Sequence, residues 1–259
     1  DEVVRRIQDA SLEYEIIRVY NDNPDLHGKV IDQQPSCNGT TKYVIKGTLI
    51  KLYVSYNKIV IRSAEDLTLL GSDERVHLYE LGCDIDASVT KDWDDGKGFN
   101  PVGKPDFPFC ETFDGNGYTI KNLYINRPNQ SNVGLFSRLG EGAVIKNVKF
   151  SNVQIVGREN VGIVTGSSYL STVEKVTVSG NVSGSSNVGG IVGLQTGGTI
   201  RACGTISSSY GDEIIHVSGS KNVGGIVGNS RSIDDDHIGL ICFNNKKDRK
   251  VLLSDFSFL

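Results

Sequence analysis

The chain has 259 residues, 38% of them apolar and 22% charged, enough for a buried core in one large domain or in a small domain followed by a medium one. Thirty glycines and no methionine depart from average composition and point to many tight turns. A net charge of −4, with no basic run beyond the short cluster Lys246, Lys247, Arg249 and Lys250, excludes the electrostatic footprint of a nucleic-acid binder. No stretch reaches the roughly 18 to 20 consecutive apolar residues of a membrane span.

The chain opens on Asp1 and shows no signal-peptide pattern, so it reads as a segment of a larger polypeptide. In residues 1–10, Val3, Val4, Ile7 and Ala10 recur at helical spacing behind two acidic residues, which predicts a short amphipathic helix. Three extended runs follow, over residues 12–20, 29–33 and 49–55, separated by the breakers Asn23-Pro24, Pro35, Asn38-Gly39 and Gly47. A helix packed on a small sheet is the expectation, and residues 57–62 read as a junction.

Residues 12–55 resemble a PASTA domain. The likeness is carried by Gly28-Lys29-Val30-Ile31, Gln34-Pro35, Gly39 and Lys46-Gly47-Thr48, ahead of the alternating Ile50, Leu52 and Val54. The family's opening strand is missing, and Cys37 lies in a lengthened turn after Pro35. The resemblance implies an α+β module over residues 1–57, an extracellular, wall-facing location and contact with peptidoglycan. It implies no catalysis.

From residue 58 onward glycine rises and one phrase recurs. It begins at Asn132, Asn160, Asn187 and Asn222, each followed by Val-Gly, at intervals of 28, 27 and 35 residues. The last interval is widened by an insertion near residues 209–216. Between the phrases lies a second apolar piece, around Ile145, Val173 and Ile200. A unit of this length cannot bury its own apolar face, so the units must stack, one coil per repeat. Val133, Val161, Val188 and Val223 are then expected to form an inward ladder, with Gly189-Gly190 and Gly224-Gly225 permitting close coil approach. A sandwich of antiparallel hairpins is the competing expectation, and it accounts less well for the fixed period.

The phrase "NVGGIVG" resembles the GLUG motif of bacterial adhesins and other surface proteins, and "FDGNGYTIKNLYI" is similar to the stretch that introduces such repeats in right-handed parallel β-helices. The resemblance implies a mainly β fold, with a leader over residues 58–126, repeats over 127–230 and an atypical end over 231–259. It also implies an adhesin-like role with a host glycan or protein as partner.

Chemistry is sparse. Asp84, Asp86, Asp92, Asp94 and Asp95, with Gly96 and Gly98 behind, form the densest acidic cluster. Asp84, Asp86, Asp92 and Asp94 are candidate calcium ligands, although an EF-hand loop fails at its twelfth position and is interrupted by Trp93. The competing reading is a solvated loop whose aspartates cap turns. Trp93 with Asp92, Asp94 and Asp95 is the candidate ligand-binding set. With Lys91 or Lys97 it also offers the minimum for a carbohydrate-active enzyme, a role open too to a region accessory to a larger surface peptidase. Otherwise the chain has no catalytic constellation. His27, His77, His216 and His237 are isolated, no H-E-x-x-H or G-x-S-x-G motif exists, and the glycine-rich strings lack the lysine of a phosphate loop. No cofactor is expected. The five cysteines, Cys37, Cys83, Cys110, Cys203 and Cys242, read mainly as small buried thiols, with Cys83 and Cys110 the first pair to test for a bridge.

Overall fold

The computed structural model describes residues 2–21, 23–26, 28–36, 44–72, 76–104, 106–205, 215–231 and 240–242. The chain forms two compact units, Asp1–Ile59 with Asp73–His77, and Val60–Ser72 with Leu78–Leu259.

In the first unit, α1 (Glu2–Asp9) is followed by β1 (Glu13–Tyr20), β2 (Val30–Gln34) and β3 (Leu49–Ile61). The helix stops where Ser11 takes a left-handed conformation and its N–H donates to the Gln8 carbonyl, a C-terminal turn that frees the chain to enter β1. β1 lies parallel to β3 from Glu13 opposite Leu49 to Tyr20 opposite Tyr56, and β2 pairs antiparallel with β3. Val3 and Ile7 of the helix face Leu12 and Ile50 across a cavity of about 350 Å³. Ile50 and Leu52 are the buried apolar side chains of β3's first half. β3 continues without a break through residues 57–61, where a junction was expected. Ile59, Val60 and Ile61 supply β-branched side chains across that stretch, and no glycine or proline interrupts it. Cys37 and most of the turn after Pro35 lie outside the described residues.

The second unit repeats one path. β4 (Val76–Leu81) and β5 (Ile85–Asp86) begin a first coil. The next coil contains β6 (Thr112–Asp114), β7 (Thr119–Lys121), β8 (Tyr124–Asn126) and β9 (Phe136–Leu139). A third holds β10 (Val144–Lys146), β11 (Lys149–Val156), β12 (Glu159–Val161) and β13 (Thr165–Tyr169). The fourth holds β14 (Thr172–Glu174), β15 (Thr177–Ser183), β16 (Ser186–Gly189) and β17 (Val192–Thr196). A fifth comprises β18 (Thr199–Arg201), β19 (Gly204–Thr205), β20 (Ile215–Ser218), β21 (Lys221–Gly224) and β22 (Val227–Arg231), and β23 (Leu240–Cys242) starts another.

Equivalent strands of successive coils pair in parallel. β4, β6, β10, β14, β18 and β23 make one sheet, and β5, β7 with β8, β11, β15, and β19 with β20 make a second. β12, β16 and β21 make a third, and β9, β13, β17 and β22 a fourth. The named strands pair in parallel from coil to coil, with Gly98 to Ile125 an isolated antiparallel bridge; this rules out antiparallel hairpins between those strands and is compatible with a β-helical solenoid. β23 carries the first sheet past the point where an atypical end was expected. Residues 232–239 and 243–259 of that end, and 206–214 of the insertion, lie outside the described residues.

The core consists of columns. Tyr79, Phe113, Ile145, Val173 and Ile200 stand in register and are at most 2% exposed. Val133, Val161 and Val188 are completely buried in a second column, which Val223 extends. Side chains taper along the stack: Phe109, Phe113 and Phe136 cluster at the start, with Phe109 and Phe136 ring centroids 4.6 Å apart, whereas valine and isoleucine fill the later coils.

Each coil must also turn corners, and left-handed residues do this. Asn132, Asn160, Asn187 and Asn222, the first letters of the repeated phrase, have φ of 59, 53, 52 and 51°. Asparagine tolerates this region better than other residues with a side chain. The last three amides also donate to the previous coil: Asn160 Nδ2 to Asn132 Oδ1 at 2.8 Å, Asn187 to Asn160 at 2.7 Å, and Asn222 to Asn187 at 2.8 Å. The phrase's final glycine answers a different need. At Gly193 a Cβ would collide with the Asn160 and Val161 backbone of the preceding coil, so only glycine lets the fourth sheet cross that corner.

Candidate functional site

After β5 the chain leaves the coil in two 3-10 turns, Ser88–Asp92 and Asp94–Gly96. Thr90 pins the first. Its buried hydroxyl donates to the Ala87 carbonyl at 2.6 Å and accepts the Tyr124 N–H at 3.0 Å, so the loop is fastened to β8. Trp93 is half-buried, its ring tilted against buried Phe99 with centroids 6.1 Å apart. Arg127 clamps the second turn: Nη2 donates to Asp94 Oδ2 at 2.8 Å and to the Gly98 carbonyl, and Nε donates to the Phe99 carbonyl at 3.2 Å. Its hydrogen bond holds the Asp94 carboxyl below the ordinary aspartate value, with Lys97 3.5 Å away adding to the effect.

The other candidate carboxylates have separate duties. Asp84 Oδ1 accepts the Thr119 N–H at 2.8 Å. Asp86 Oδ1 accepts Asn122 Nδ2 at 2.9 Å and the Ser88 N–H at 3.0 Å, and these bonds, the one from Asn122 foremost, lower its pKa. Asp92 and Asp95 are exposed. The calcium candidates Asp84, Asp86, Asp92 and Asp94 are therefore not gathered around one point. Among the described residues no three His, Cys, Asp or Glu side chains form a group able to hold a metal ion. The alternating sequence spacing misled because Asp84 and Asp86 lie on a coil edge while Asp94 is drawn to Arg127. Trp93, packed on Phe99, anchors the loop.

Beside this loop lies a groove on the outer face of the second sheet. It has a volume of about 180 Å³ and is lined by Ser88, Lys91, Asn122 to Tyr124, Asn152 to Gln154, and Asn181. No carboxylate lines it. The side chains stand in two rows along the coil axis. Tyr124, Gln154, Asn181 and His216 are register partners, one per coil. Asn122 and Asn152, with φ of 59° and 51°, form the second row, in which Asn152 Nδ2 donates to Asn122 Oδ1 at 2.8 Å and Asn122 donates to Asp86. The groove is concave because the β11 and β15 register shifts between Phe150 and Val153, bending the sheet at Asn152. Sequence reasoning missed these residues. The signal was present as polar residues at matching outward positions of successive repeats, Tyr124, Gln154 and Asn181, which become visible once the coil period is laid over the chain.

The cysteines offer no reactive centre among the described residues. Cys83, Cys110 and Cys203 are free thiols, so the Cys83 to Cys110 bridge is absent. Cys83 Sγ donates to the Arg62 carbonyl instead, and burial pushes the Cys203 thiol up to about 11. His27, His237 and Cys37 lie outside the described residues, as does the side chain of Cys242.

Fold and site together define a mainly β protein of stacked parallel coils with a polar outer groove. No protein-family model matches the chain. Halomucin of Haloquadratum walsbyi is 38% identical over 168 residues, covering 61% of this chain and 2% of that protein. A candidate Gly-rich membrane protein of Evansella cellulosilytica is 31% identical over 103 residues, 39% of this chain and 12% of that one. The chain thus spans only a small part of the length of both relatives. Among solved structures, a candidate immunoglobulin A1 protease from Bacteroides ovatus superposes with a TM-score of 0.46 at 22% identity, covering 71% of this chain and 63% of that one. Among the described residues, no helix is long and apolar enough to cross a membrane.

Proposed function

We propose that this chain is a non-enzymatic segment of a larger secreted protein at the cell surface, displaying a right-handed β-helix for adhesion or ligand binding. The groove on the second sheet is the observation that carries this reading. Its Asn122 and Asn152 amides are held by hydrogen bonds, Gln154 and Asn181 stand exposed beside them, and its lining lacks the paired carboxyl groups that glycoside hydrolysis requires. The relatives named as a mucin and as a membrane protein agree with a surface location.

In this reading the recurring Asn-Val-Gly phrases are GLUG-type repeats, and residues 1–57 are a PASTA-like module that touches peptidoglycan. Sedimentation of the full chain with purified peptidoglycan tests both parts. The chain is expected in the pellet, with no soluble sugar released over prolonged incubation. A chain that stays in the supernatant removes wall contact, and released reducing sugar removes the non-enzymatic assignment.

A further inference from the structure

We infer that the groove over Tyr124, Gln154 and Asn181 binds a neutral, extended oligosaccharide laid along the coil axis; this rests on the ligand-display reading above and names its site and ligand. Three observations lead there. The first is chemical. Among the described residues, the side chains of Lys91, Gln154 and Asn181 have no hydrogen-bond or ion-pair partner. Each amide carries two donors and an acceptor, the complement of a sugar hydroxyl, and Tyr124 adds an aromatic body with a polar tip.

The second is geometric. Tyr124, Gln154 and Asn181 repeat once per coil, about 4.8 Å apart, so the row spans about 10 Å. A ligand that itself repeats at about the length of one pyranose ring meets a hydrogen-bonding side chain at every step. The row beside it is oriented in advance. Asp86 can only accept, so it turns the Asn122 amide N toward itself and the Asn122 oxygen toward Asn152. The Asn152 amide is fixed in turn, with its oxygen left as the acceptor at the end of the row. Binding then costs little ordering of these side chains.

The third is exclusion. A peptide cannot add as a strand, because β11 is already paired on both sides, to β7 with β8 and to β15. The lining is too polar for an apolar ligand and holds one cation, too few for nucleic acid. Acidic glycans are disfavoured by the exposed Asp92 that follows Lys91 in the chain and by exposed Asp95 in the same loop, whereas Asp86 and Asp94 are already engaged by Asn122 and Arg127.

The test is isothermal titration of the full chain with cellohexaose, chitohexaose and hexagalacturonate. At least one neutral hexasaccharide is expected to bind, with affinity changing less than about twofold between 50 and 500 mM salt. The double substitution Q154A/N181A, both positions exposed and outside the core, is expected to weaken binding at least about tenfold. Thr172→Ala, on the outer face of the first sheet, is expected to leave it unchanged. Binding that survives Q154A/N181A, tighter binding of hexagalacturonate, or no binding of either neutral hexasaccharide overturns the inference. Sedimentation with peptidoglycan separates the two readings, because that contact is assigned to residues 1–57: a chain that pellets but binds neither neutral hexasaccharide keeps the surface role and loses this site.

Discussion

The coil corners and the loop over residues 88–99 hold polar side chains at the surface by opposite means. At the corners a single solution recurs, an asparagine in the left-handed region whose amide bonds to its counterpart one coil away. The loop is held once, by Thr90 and Arg127, through contacts that do not recur among the described residues. Repetition makes each corner's stability depend on its neighbours, as expected of a quasi-one-dimensional stack, whereas the loop can open without disturbing the coils.

The largest expected effect tests the stack. Gly193→Ala places a methyl group against the Asn160 and Val161 backbone and is expected to remove more than about 3 kcal/mol of stability, or folding altogether, in urea denaturation. A loss under about 1 kcal/mol would show that the coils give way there and that close approach is not what selects glycine. Next comes the ladder. Asn187 donates to Asn160 and accepts from Asn222 and from Asn229, so Asn187→Ala is expected to lose about 2 to 3 kcal/mol. Asn187→Gly is expected to lose about 1 kcal/mol less, because it removes the ladder but tolerates the backbone. Equal losses would mean that the ladder alone matters.

A smaller effect sharpens the comparison from within the stack. At the corner after the first sheet, Asn147, Lys175 and Ala202 occupy equivalent left-handed positions, with φ of 53, 52 and 51°. Only Asn147 has a ladder partner there, Asp114 at 3.0 Å. Ala202→Gly is therefore expected to raise stability by about 0.5 to 1 kcal/mol, read as a higher urea midpoint.

These corners explain what the sequence made legible. The Asn-Val-Gly phrase showed period and inward valines because both depend on spacing, which the chain carries openly. The corner after the first sheet was invisible because Asn147, Lys175 and Ala202 share a backbone angle and no chemistry. The groove was hidden for a related reason: Tyr124, Gln154 and Asn181 differ in type and are united only by register. The acidic cluster erred in the other direction. Sequence proximity gathered Asp84 through Asp95, but Asn122, Thr119 and Arg127, 33 to 36 residues away in the chain, drew Asp86, Asp84 and Asp94 apart.

The smallest effect on global stability falls on the loop, where acid titration followed by Trp93 emission reads it directly, since Trp93 is the chain's one tryptophan. Hydrogen bonding from Arg127 lowers the Asp94 pKa from 3.8. A depressed carboxyl stabilises the fold above its unfolded value and loses that contribution as pH falls through the folded value, so the loop is expected to stay closed at pH 4 and to open below 3.8. Asp86 also has a lowered pKa, so Asp94→Asn serves as the control and is expected to abolish the emission change while Asp86 remains. Arg127→Ala is expected to give, already at neutral pH, the emission of the acid form, with the melting temperature within about 2 °C of the parent because the coils are untouched. A large drop in melting temperature on Arg127→Ala would show that loop and stack unfold as one, and the contrast between repeated and single-use contacts would then fail.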